Sequence, residues 1–329
     1  MDGTTAHDTY YVYDEWDHLC FVLPPEASAR LSGTTWNIAT DATLRAYAYY
    51  YRYDSKFRCV EQKLPGADPV YHVYDRTGAL VFSQDGNQRQ RGVWGVRLSD
   101  RMGRPALTGE YTGTSAPDIA NAVVRCTYST ASAGLGNSHY AVEGVSLGNF
   151  QLLQANYYDN YDFLSLSGFT DRTTFPTGTV NAKGLQTGSI LATLEGGTPL
   201  YEAYYYDLKG RVTKQVRTNL LGGADVTTTA YTLTDKPSSM THTHTANGKT
   251  TRTETYGYTY DQADRLTKAT HSLGGTQATL ASYAYDDLGR LQTKNLHGNA
   301  GNQQTYAYNL RSWLTGIGGS KFTQNLYYT

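Results

Sequence analysis

Residues 283–291 read Tyr-Ala-Tyr-Asp-Asp-Leu-Gly-Arg-Leu, and few folds accommodate that string. Tyr283 and Tyr285 are two apart, so on a strand both rings stand on one face. Asp286 opens a turn, because its carboxylate caps backbone N–H groups from the first turn position. Gly289 falls where a type I turn needs a left-handed residue to form a bulge and send the chain back. Arg290 and Leu291 begin the return strand. The unit is a β-hairpin whose tip is written Asp-x-x-Gly.

The same string recurs. Tyr204-x-Tyr206-Asp207-x-x-Gly210-Arg211-Val212 matches almost fully. Tyr258-x-Tyr260-Asp261 continues with Asp264-Arg265-Leu266, and Tyr306-x-Tyr308-Asn309 with Ser312-Trp313-Leu314. Upstream lie Tyr11-x-Tyr13-Asp14 with Leu19, Tyr51-x-Tyr53-Asp54 with Arg58, and Tyr71-x-x-Tyr74-Asp75 with Gly78 and Leu80. Asp264 can replace glycine, because aspartate tolerates the left-handed region better than most residues. Phe57 does not, so that tip is expected to take another geometry. Tyr260, Tyr285 and Tyr308 recur at intervals of 25 and 23 residues, and Tyr53 and Tyr74 at 21. Fixed periods of this size signal a repeat array in which one unit cannot bury its own apolar face.

With its Tyr-Asp or Tyr-Asn dipeptides at 13–14, 53–54, 74–75, 206–207, 260–261, 285–286 and 308–309, the chain resembles the YD-repeat, or RHS (rearrangement hot spot), family. Gly-Arg-Val at 210–212 and Gly-Arg-Leu at 289–291 strengthen the match. The resemblance is clear over 1–110 and 200–329 and loose between. The family includes bacterial RHS proteins, Tc-toxin cocoon subunits and teneurins. The resemblance implies an all-β fold: an elongated, curved antiparallel sheet of stacked hairpins, part of a spiral shell, with few short helices. It further implies a secreted or cell-surface structural segment whose partners are the rest of a longer polypeptide and its C-terminal effector. The self-cleaving RHS core and a variable tail are not recognisable here, so the chain reads as a piece of such a protein. The expected divisions are N-terminal hairpins at 1–110, a divergent β-rich insert at 111–200 and C-terminal hairpins at 201–329.

Composition narrows the function. A net charge of −1 argues against a nucleic-acid partner, which would show a basic stripe. No run of about 18 apolar residues exists to insert into a membrane as a helix. Three cysteines, Cys20, Cys59 and Cys126, are an odd count and give no disulfide framework. Charged residues make up only 17%, so polar duty passes to Thr, Ser, Asn, Gln and tyrosine hydroxyls, as on a sheet with one wet face.

Outside the repeats, Asp41 is placed to cap a short helix over 42–46. Pro117–Val124 is read as two helical turns with proline in the first, and the hairpin around Asp75 is expected to end near Gln84-Asp85-Gly86-Asn87. Asp100-Arg101-Met102-Gly103-Arg104 resembles a tip that has lost its tyrosine.

No constellation carries chemistry well. His242 and His244 share a strand face, but no third ligand has metal-like spacing, so no metal is expected. The segment 156–162 lacks the glycine and terminal glutamate of a calcium loop. Aspartate at every tip is explained by turn chemistry rather than by a catalytic carboxylate pair. The expectation is therefore no enzyme and no cofactor. The repeat-defining residues are Tyr13, Asp14, Tyr53, Asp54, Tyr74, Asp75, Tyr206, Asp207, Gly210, Tyr260, Asp261, Tyr285, Asp286, Gly289 and Tyr308. Their tyrosines are expected to stack across strands, and the tip arginines to be solvated or to pair with neighbouring tips. The alternative reading is a carbohydrate-binding or adhesion module using surface tyrosines.

Overall fold

The computed structural model describes residues 8–31, 37–178, 182–193 and 196–328. The chain groups into two units, Met1–Asn156 with Ile190–Gly197, and Tyr157–Ser189 with Thr198–Thr329. This partition cuts through 111–200 rather than setting that stretch apart.

In the first unit, strands Tyr10–Tyr13, Leu19–Leu23, Tyr49–Tyr53, Cys59–Lys63, Val70–Tyr74, Leu80–Gln84, Val93–Ser99 and Pro105–Thr112 pair antiparallel, each with the next. Phe150–Asp159 then pairs with Pro105–Thr112. Arg125–Tyr128 and Tyr140–Glu143 form a separate ribbon. In the second unit ten strands run from Leu200–Tyr206 to Leu314–Gly319 in unbroken antiparallel succession, with Gln324–Asn325 at the end. The fold is all-β, as expected, with three short α-helices among the described residues.

The helix over Ala42–Tyr47 forms where Asp41 accepts from the Thr43 and Leu44 N–H groups, as its position predicts. It packs against the helix over Pro25–Arg30 around Leu23, Ala27, Leu44 and Ala48. The hairpin around Asp75 ends where expected, with the strand Leu80–Gln84, and a helix, Gly86–Arg91, follows because Asp85 and Gln88 make a reciprocal capping box and Gly92 closes it at φ +66°. One expectation is corrected: Pro117–Val124 is not helical. Its backbone is held to the tip at Asp75 instead: Arg76 N–H donates to the Ala122 carbonyl at 2.9 Å, and Val124 N–H to Asp75 Oδ2 at 3.1 Å.

The cores differ. The first unit buries Phe82, Val96, Leu98 and Leu107 between strands. The second has an aromatic knot near its start, where Tyr157 stacks on Phe163 at 4.9 Å and Phe169 meets Phe175 edge-on. From Asp225 onward, Ala269 and Ala281 are the buried hydrophobic residues among those described. A sheet so thinly covered must be held along its tips.

Candidate functional site: the ladder of hairpin tips

At Asp286 the turn closes through two backbone bonds: the Asp286 N–H donates to the Arg290 carbonyl, and the Gly289 N–H to the Asp286 carbonyl, both at 2.9 Å. Asp286 Oδ1 accepts from the N–H groups of Leu288 and Arg290, and Oδ2 from Arg290 Nε at 2.7 Å. Gly289 sits at φ +80°, and the strand register shifts beside it. This is the type I turn with a left-handed bulge residue that the sequence predicts. Burial pushes the Asp286 carboxyl up, but Arg290 and the capping N–H groups outweigh it, leaving the acid below its ordinary value.

The same backbone pattern closes the tips at Asp14, Asp54, Asp75, Asp100, Asp207, Asn219, Thr232, Asp261 and Asn309. The expectation for Phe57 is overturned. It stands at φ +62° and donates its N–H to the Asp54 carbonyl at 2.9 Å, so its tip has the same geometry as the others. The capping carboxylate fixes the turn, and the left-handed strain of phenylalanine is tolerated.

The tip arginines hold their own turns and, at four tips, the next hairpin as well. Arg58, Arg104, Arg211, Arg265 and Arg290 bond through Nε to the aspartate of their own tip at 2.7–2.8 Å. That corrects the expectation of solvated arginines or pairs with neighbouring tips. Arg211 also reaches a neighbouring carboxylate, that of Asp235. Four of the guanidinium groups then lie over the tyrosine ring of the next hairpin: Arg58 over Tyr74 at 4.9 Å, Arg211 over Tyr231 at 4.6 Å, Arg265 over Tyr285 at 4.6 Å and Arg290 over Tyr308 at 4.8 Å.

The tyrosines close the ladder. Tyr53 OH donates to the Leu19 carbonyl, Tyr74 to Cys59, Tyr231 to Val212, Tyr260 to Pro237, Tyr285 to Leu266 and Tyr308 to Leu291, at 2.8–3.1 Å. Each acceptor begins the return strand of the preceding hairpin. Tyr206 donates to Gln186 on the strand Ala182–Leu191. Tyr13, on the first described hairpin, is exposed. The expected tyrosine-on-tyrosine stacking is therefore replaced by a hydroxyl bond backward and an arginine on the ring face.

Sequence reading missed two tips, although their signals are visible in retrospect. Tyr231-Thr232-x-x-Asp235-Lys236 uses threonine as the cap, with Asp235 at φ +67°. Asn219-x-x-Gly222 closes a turn on the opposite edge. The tip at Asp100, read from the sequence as one that has lost its tyrosine, makes the full cap and arginine clamp.

A second cluster lies on one face of the regular array. His244 Nδ1 is 2.5 Å from Asp225 Oδ1, and His242 lies 3.7 Å from Asp225 and 3.3 Å from Glu254. His271 Nε2 is 3.0 Å from Glu254. Neighbouring strands thus bring the histidine pair partners that its own strand lacks. The His271 imidazole holds the Glu254 carboxyl below its ordinary value. Among the described residues no group of His, Cys, Asp and Glu is arranged to hold a metal. Cys126 is buried, which pushes its thiol up to about 12, and Cys20 and Cys59 are half-buried on strands.

No protein-family model and no curated protein matches the chain. Among solved structures it is similar to the crystal structure of TcdB2-TccC3, at 15% identity and a TM-score of 0.31 over 94% of this chain. It is likewise similar to TcdB2-TccC3-Cdc42, at 15% identity and 0.29, and to TcdB2-TccC3-TEV, at 13% and 0.26, each over 94% of this chain. The chain spans 16%, 15% and 22% of the length of those three chains.

Proposed function

We propose that the chain is a non-enzymatic wall segment of an RHS-type shell, built to enclose a toxin or polymorphic effector carried by the same longer polypeptide. The observation that carries this reading is the two-way bonding of successive tips. Arginine reaches forward to the next ring, and the tyrosine hydroxyl reaches back to the previous backbone. A sheet built this way extends by repetition without a thick core, as a container wall must. The tip carboxylates are occupied in closing turns and holding arginines, which leaves them no role as acids or bases. The partners are the rest of that polypeptide and its C-terminal effector, and the setting is secreted or cell-surface.

Protease protection tests containment. In the native polypeptide, segments outside the wall should resist added protease. Replacing Arg211, Arg265 and Arg290 together by alanine should expose them. Equal cleavage rates in both proteins would refute the reading.

One observation favours a second, glycan-binding reading. Trp16 and Phe57, 63% and 52% exposed, flank a cleft of about 600 Å³ that Tyr50, Tyr53 and Asp14 also line. Sugar rings stack on such plates. Specific binding on a glycan array, lost in Trp16→Ala with the fold intact, would support it.

A further inference from the structure

Lys63 ends the strand Cys59–Lys63 and is buried, with 3% of its surface exposed. Lysine almost never leaves water without partners, because an unpaired ammonium is costly to bury. Its Nζ donates to the Arg45 carbonyl, in the helix Ala42–Tyr47, and to the Leu64 carbonyl at 3.1 Å. An ammonium has three N–H groups to give. Among the described residues the third finds no acceptor, and no carboxylate makes an ion pair with Nζ. Two carbonyl dipoles hold this charge, and no counter-charge completes it.

Lys63 lines a cleft of about 630 Å³, a size that holds small organic ligands. Much of the lining is apolar: Ala42 and Ala46 come from the helix, and Ala67, Pro69 and Tyr71 from the turn and strand that follow Lys63. Four charged side chains also line it, Arg45, Glu61, Lys63 and Asp68. Glu61 is taken by Arg52, whose Nε donates to Oε2 at 2.9 Å. Asp68 is exposed, with its side chain against the backbone of Gly86. Arg45 is exposed and makes no ion pair among the described residues. Once Glu61 is set against Arg52, two cations therefore face one carboxylate. Arg89, 4.7 Å from the centre of the Tyr71 ring, adds to the positive field. Burial pushes the Lys63 ammonium below its ordinary value and Arg45 pushes it further, while Asp68 opposes them and does not prevail.

We propose that this cleft binds a small organic carboxylate carried on an apolar or aromatic body. The carboxylate accepts the spare Lys63 N–H and pairs with the Arg45 guanidinium, a charge-assisted contact in a partly dry site. The body lies against the alanines, Pro69 and Tyr71. Each feature of the cleft excludes a competing ligand. A neutral apolar molecule leaves the buried ammonium without its counter-charge. A metal cation meets an excess of positive charge. A small dianion such as phosphate asks for more charge than one cation in excess, and leaves the apolar lining in water. The site lies within the first unit and does not depend on the chain's being a shell wall.

Titration of the full chain with phenylacetate, read by calorimetry and by amide NMR shifts, tests this. The expected result is saturable binding with a Kd of about 1 mM or below, and shifts centred on residues 42–46 and 67–71. Acetate lacks the body and 2-phenylethanol lacks the charge, so each should bind at least about tenfold more weakly. Arg45→Gln should weaken phenylacetate by about five- to tenfold with circular dichroism unchanged. Lys63→Met should abolish binding. Should that variant lose its fold with its two carbonyl bonds, Arg45→Gln decides. No saturable binding up to about 20 mM phenylacetate overturns the proposal, as does binding that Arg45→Gln leaves unchanged. Acetate, 2-phenylethanol or inorganic phosphate binding as tightly as phenylacetate overturns it too.

Discussion

Asp75 in the first unit and Asp286 in the second close their turns identically, through Oδ1 accepting two backbone N–H groups, yet use their second oxygen differently. Asp286 Oδ2 clamps its own arginine at the surface. Asp75 has alanine in that slot and is fully buried. Its Oδ2 instead accepts the Val124 N–H, and Oδ1 also takes the Thr77 hydroxyl at 2.7 Å. The cap is thus a fixed element, while the second oxygen is free to be assigned. In the regular array it couples one hairpin to the next. In the divergent region it anchors an insertion over the tip.

That contrast predicts the largest difference between tips. Asp75→Ala leaves the N–H groups of Thr77, Ala79 and the buried Val124 without their acceptor and opens a hole where a fully buried carboxylate sat, and should cost about 3 kcal/mol in urea unfolding. Asp286→Ala, whose N–H groups turn to water, should cost less than half as much. Equal losses would mean that the cap alone matters and the burial of Asp75 does not. Acid should separate the two as well. Burial raises the Asp75 carboxyl, but its hydrogen bonds from Thr77, Val124 and Ala79 outweigh that and hold it below the ordinary value. A depressed folded value gives stability that is present above the ordinary carboxylate range and is lost as pH falls through the folded one. Stability of the first unit should therefore fall below about pH 4, and Asp75→Asn should flatten that fall.

The left-handed position gives the next largest effect. Gly289→Val forces a β-branched residue to φ +80° and should cost about 1–3 kcal/mol. Phe57 occupies the equivalent site at φ +62°, so the position tolerates an unbranched side chain. Gly289→Phe should therefore lower the melting temperature less than Gly289→Val. The reverse order would show that bulk, and not branching, sets the cost.

Much of the ladder was legible because its signals are local. Tyr285, Asp286, Gly289 and Arg290 lie within six residues, and each has one conformational job. The partners that complete the ladder come from elsewhere in the chain. Tyr285 meets Leu266, and Arg265 reaches the Tyr285 ring, at separations that no single repeat displays. The same limit hid the carboxylates around His242 and the role of Val124 at Asp75, because strand register and not sequence spacing brings them together. Phe57 misled for the opposite reason. Its intrinsic preference argued against the turn, and the Asp54 cap overrode it. Tyr285→Phe isolates one such non-local link. Removing the hydroxyl should cost about 1 kcal/mol and quicken amide exchange in the hairpins on both sides.

The smallest expected effect concerns the first tip, where His18 stands in the arginine slot. Its Nδ1 is 3.2 Å from Asp14, and its ring stacks on Phe57 at 4.7 Å and leans on Tyr53 at 5.0 Å, as an arginine does on the next ring elsewhere. An imidazole meets Asp14 through one ring nitrogen, whereas a guanidinium presents a planar fork of donors that spans the carboxylate and the next ring together. The first hairpin should therefore be tied to the second less firmly than the arginine tips tie theirs. His18→Arg should remove that difference, slowing amide exchange at Trp16 and at position 18 by roughly two- to fivefold. Unchanged exchange would mean that one ring nitrogen and a stacked ring hold the tip as well as the fork does. The donor geometry of the slot would then be irrelevant to how the hairpins couple, at this tip and at the arginine tips of the second unit.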